Sequence, residues 1–187
     1  MNYVKELRTV AEIEPDAAQK EEYLALAEQM EWIAHNPPRN FREALHLTYL
    51  IHITVLNEDA ISGYSPGRLG QVLYPYFEKD IADGTITEEE VIELLEVHRF
   101  KFSTIELFAS TGISGGISGN TFNNLSVGGL DKDGAPCGNR LEWLILHAGM
   151  TNQSPQPTLS VLYDERLPKD FLIKCVECTK TGVGYPA

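Results

Sequence analysis

Apolar residues recur at helical intervals through most of the first 110 positions, and give way to a two-residue alternation only near 121–127 and 158–164. Residues 1–20 are polar and weakly patterned, so no firm element is expected there. From Glu21 to Ala34, Tyr23, Leu24, Ala27, Met30 and Ile33 fall three or four apart and predict a first helix. Asn36-Pro37-Pro38 ends it, because proline removes a donor and biases the residue before it away from helical angles. Asn40 is suited to cap a second helix over 41–56, with Glu43 at the capping-box position. That helix is apolar almost all round, which predicts that it is largely buried.

Gly63, Pro66, Gly67 and Gly70 interrupt the pattern. Helical spacing resumes over 71–82, where Pro75 either kinks the run or delays its start. Thr87 followed by Glu88, Glu89 and Glu90 is an N-cap with acid at the positive end of the helix dipole. The helix behind it should reach about Ala109, with Val91, Leu94, Leu95, His98, Phe102, Ile105 and Phe108 as its core stripe. An uncharged, Gly-rich stretch from Thr111 to Gly119 leads into a strand over 121–127, closed by Gly128-Gly129. Asn139 caps a helix to about Thr151, a second strand follows over 158–164, and Pro168 opens a last helix over 169–181. Helices first, then strand, helix, strand, helix, make the fold class α/β, the second half reading as a piece of a sheet. Two strands do not complete such a sheet, and Gly184–Ala187 reads as the start of another extended segment. The chain is therefore expected to be an internal part of a longer protein.

Charge and composition narrow the function. With 43% hydrophobic residues the chain has enough apolar material for a core. A net charge of -12 argues against nucleic acid or an anionic membrane as partner, since both would be repelled. Neither a leader nor a bilayer-length apolar run is visible, so a cytoplasmic location is expected. Cys137, Cys175 and Cys178 are an odd number and read as reduced thiols. Cys175 and Cys178 share a helical spacing and lack a second pair of ligands, so core packing is expected there rather than zinc. His46 and His52, six apart on one helix, point to different faces and read as core or partner-facing residues rather than a metal pair. No phosphate loop, nucleophile elbow, H-E-x-x-H or dinucleotide fingerprint is present.

Five fragments occur in one order: Ser65-Pro66-Gly67-Arg68, Tyr74-Pro75-Tyr76, Asn124-Leu125-Ser126-Val127-Gly128-Gly129, Pro155-Gln156-Pro157-Thr158-Leu159-Ser160-Val161 and Gly182-Val183-Gly184-Tyr185-Pro186-Ala187. Together they resemble the glycyl radical enzymes of the pyruvate formate-lyase type, over residues 36–187. Ala60-Ile61-Ser62-Gly63-Tyr64 and Gly119-Asn120-Thr121-Phe122-Asn123 are most similar to the family's arylacetate decarboxylases, those for 4-hydroxyphenylacetate above all. The run before Ser65 is mostly apolar, which suits an aromatic substrate.

The resemblance implies that residues 1–187 are one internal part of a ten-stranded α/β barrel, helical over 1–110 and strand-helix-strand-helix over 111–187. It implies a glycyl radical installed by an activating enzyme that uses S-adenosylmethionine and an iron-sulfur cluster. A cysteine then passes the radical to the substrate. It further implies a homo-oligomer and admits a small accessory subunit. Ser62 would contact the substrate carboxylate and Phe122 would line the pocket. Read without the resemblance, Ser62 is a turn-capping loop serine and Phe122 a core aromatic. None of the three cysteines stands in the family's Gly-Cys-x-Glu loop and no radical glycine is matched, so no catalytic residue and no metal site are expected in this chain. A lyase or dehydratase acting on a polyol, amino alcohol or sulfonate is the alternative within the family. A non-catalytic binding or assembly module is the alternative outside it.

Overall fold

The computed structural model of the protein describes residues 2–59, 63–105 and 123–186. Helix α1 (Asn2–Ile13) occupies the segment whose pattern was too weak to predict one. Its buried seam is narrow, Val4 and Ala11 with Leu7 and Val10 half-buried, because among the described residues it packs mainly on α2 (Ala17–Ile33). The Asp16 carboxylate caps α2 by accepting from the amides of Ala18 and Gln19 at 2.8 and 3.2 Å. Leu24, expected on the inner face, is 45% exposed.

Helix α3 (Phe41–Asp59) starts where Asn40 Oδ1 accepts from the Glu43 amide at 2.9 Å. The expected capping box is not closed. The Glu43 carboxylate instead takes the amide of Arg39 at 2.7 Å and its guanidinium at 2.6–2.8 Å. Phe41, Ala44 and Leu45 are buried, but the next turns are only half-buried and Ile51 is 48% exposed, contrary to the burial expected all round. Within the described residues α3 packs against α2 and two later helices, α5 (Tyr74–Ala82) and α6 (Glu88–Ser103). These do not wrap it.

Pro75 does delay a helix. A single turn, α4 (Leu69–Val72), ends at Leu73, and α5 begins with Pro75 in its first turn, where its missing amide costs nothing. Thr87 and Glu90 form a complete capping box at the start of α6. Helix α6 closes at Ser103, shorter than expected, and its predicted stripe is buried at Val91, Leu95, His98 and Phe102.

Strand β1 (Asn124–Gly128) and strand β2 (Thr158–Leu162) pair in parallel, from Asn124 opposite Thr158 to Gly128 opposite Leu162. β2 is shorter than the alternation over 158–164 indicated, and the first two positions expected for β1, 121–122, lie outside the described residues. Helix α7 (Arg140–Asn152) connects them, and helix α8 (Lys169–Thr179) follows β2. Packed on both α6 and α8, α7 buries Leu141, Leu144, Ile145 and Leu146, each contributing about 1.5–3 kcal/mol relative to exposure. Cys175 and Cys178 of α8 are buried in the same core, as their spacing predicted. Tyr185, 1% exposed, completes it. The Tyr185 hydroxyl lies 3.0 Å from the carbonyls of Gly149 and Ser154 and 2.7 Å from the buried Arg99 guanidinium. No helix among the described residues is long and apolar enough to cross a membrane.

Candidate functional site at the entrance to the first strand

The Ser65–Arg68 segment lies along the edge of β1 that β2 leaves open. The Gly67 amide donates to Asn124 O at 3.2 Å, the Ser126 amide to Gly67 O at 2.8 Å, and the Asn124 amide to Ser65 Oγ at 3.1 Å. On the other side, the Thr158 amide donates to Asn123 O at 3.0 Å, and the Asn123 amide to Gln156 Oε1 at 3.1 Å. Asn124 Oδ1 accepts from Ser160 Oγ at 3.0 Å and from Thr158 Oγ1 at 3.3 Å. Three of the sequence fragments therefore lie side by side at the N-terminal end of β1. Ser62 and Phe122 themselves lie outside the described residues. They stand three residues before Ser65 and two before Asn124 in the chain.

Rings form the layer beside this entrance. His52 of α3, 2% exposed, has its ring centre 4.5 Å from that of Phe102 and 5.2 Å from that of Tyr64. His98 lies 4.8 Å from Phe102, and Tyr49 meets the edges of His98 and Phe102 at 6.3 and 5.7 Å. Burial holds both imidazoles neutral, lowering His52 to about 4 and His98 to about 3. For His52 the nearby Asn123 side chain works against that shift. His46, in contrast, has a partner, with Gln29 Nε2 at 2.7 Å from its Nδ1. Of the two histidines read as core or partner-facing, His52 is buried in the core and His46 is half-buried, but nothing in their spacing could show that His52 meets Tyr64.

Arg68 points away from the entrance. Its Nη2 donates to Gly128 O at 3.2 Å and to Leu130 O, tying down the backbone beyond β1. That end of the strand also carries a cleft of about 380 Å³, lined by Gln71, Tyr74, Asp131, Cys137, Asn139 and Pro168 among others. It is separated from the Ser65–Asn124 contact by the length of β1, about 13 Å at 3.3 Å per residue. Its chemistry is weak. Burial raises the Cys137 thiol, with Arg68 Nη2, 3.9 Å from the sulfur, pulling the other way. The helix N-terminus beside it is filled by the chain's own Glu142 carboxylate, which accepts from the Gly138 amide at 2.7 Å. Cys175 is pushed up to about 12 by burial. Such thiols are poor nucleophiles. No three metal-ligating side chains gather among the described residues.

Comparison with known proteins matches residues 1–187 to the pyruvate formate lyase-like family. The chain is 58% identical over 188 residues to the 4-hydroxyphenylacetate decarboxylase glycyl radical subunit of Clostridioides difficile strain CD196, covering 100% of this chain and 21% of that protein. Indoleacetate decarboxylase of Tractidigestivibacter scatoligenes is 46% identical over 187 residues, again 100% of this chain and 21% of that protein. A solved structure concerned with 1,2-propanediol dehydration in Roseburia inulinivorans superposes with a TM-score of 0.94 at 31% identity, covering 100% of this chain and 22% of that one. The chain thus spans about a fifth of the length of the relatives it matches.

Proposed function

The chain belongs to the pyruvate formate lyase-like family, and from that premise we propose that it is part of a glycyl radical lyase that decarboxylates an arylacetate such as 4-hydroxyphenylacetate. Its two strands and their helices are a fragment of the α/β barrel of glycyl radical enzymes, and we read residues 1–187 as one continuous part of that domain. The carrying observation is the gradient of identity. The two decarboxylases match at 58% and 46%, whereas the diol-dehydration structure matches at 31%. A polyol, amino alcohol or sulfonate substrate is correspondingly less well supported.

Ser62 and Phe122 are the substrate-binding residues in this reading. Support comes from their described neighbours, because the backbone at Ser65 and at Asn124 is hydrogen bonded side by side. A hydroxyl donor to a carboxylate and a ring beside a ring are the contacts an arylacetate asks for. None of Cys137, Cys175 and Cys178 stands in a Gly-Cys-x-Glu sequence, so the cysteine of radical transfer and the radical glycine are assigned to other parts of the protein. When present, the radical supplies the one-electron chemistry that breaks the bond to the carboxylate. The chain's own residues bind the acid and keep water out.

This reading carries with it an activating enzyme using S-adenosylmethionine and an iron-sulfur cluster, and a homo-oligomer with room for a small accessory subunit. It also carries a cytoplasmic, anaerobic setting, since oxygen destroys such a radical. The test is anaerobic activation of the intact protein, with glycyl radical quantified by electron paramagnetic resonance and carbon dioxide release followed. Turnover of 4-hydroxyphenylacetate to 4-methylphenol is expected. A radical-bearing enzyme that dehydrates a diol and leaves arylacetates untouched would overturn the proposal.

A further inference from the structure

We draw no further inference here: the strongest candidate, the cleft of about 380 Å³ beyond the end of β1 lined by Gln71, Tyr74, Asp131 and Cys137 among others, rests on the lone Cys137 thiol, and nothing in the structure shows what fills it.

Discussion

Ser65 and Asn124, 59 residues apart, are joined by the hydrogen bond from the Asn124 amide to the Ser65 hydroxyl at 3.1 Å. With the Gly67 bonds beside it, this contact makes the loop before α4 a third short line on the two-stranded sheet. Ser65→Ala leaves the amide to water, since the contact is exposed. A loss of about 0.5–1.5 kcal/mol in denaturant unfolding is expected, with a raised KM in the intact enzyme. Unchanged values for both would show that the Gly67 bonds alone hold the segments together.

Ser62 and Phe122 are predicted to select the substrate. Phe122→Ala should weaken arylacetate binding by about 0.5–1.5 kcal/mol beyond its area term, and Ser62→Ala by about 1.5–3 kcal/mol for a bond to a charged group. Radical yield should be unaffected by either. Unchanged kinetics in both variants would remove these residues from the site without touching the family assignment.

The Tyr185 hydroxyl organises the carbonyls of Gly149 and Ser154 around the Arg99 guanidinium. Tyr185→Phe strips this buried network of its centre and should destabilise by about 1–3 kcal/mol, read as a fall in the urea midpoint. Turnover per radical should change less than stability, because Ser154 and Gln156 stand between the Tyr185 hydroxyl and the Asn123 amide at the entrance to β1.

Stability should fall in mild acid. His52 and His98 are lowered by burial from 6.5 to about 4 and about 3, so below pH 6.5 the unfolded chain takes up protons that the folded chain refuses. Their contribution is flat above 6.5. It then declines by about 1.4 kcal/mol per pH unit for each histidine, until the folded values are reached. Denaturant midpoints at pH 7.5 and pH 5 check this, and His98→Phe should reduce the difference between them.

Much of the helical half was legible because its signals are local. Asn40, Thr87 and Asn139 each cap the helix they precede, and Pro75 sets a start, through groups within four residues of themselves. The resemblance fragments were legible as a pattern, but not the reason for their sequence. Ser65 and Gly67 serve the edge of β1, Arg68 the turn beyond it, and Tyr185 the core around Arg99.

Legible from the sequence were the order of the longer elements from α2 onward, most of their caps and the family to which the chain belongs. Tertiary structure alone decided that α1 forms on a narrow seam against α2, that Ile51 of α3 stays 48% exposed, and that His52 meets Tyr64. The reason is physical. Capping and periodicity are interactions between residues a few positions apart, whereas burial and ring contacts depend on which distant surfaces meet, and no local propensity encodes that choice.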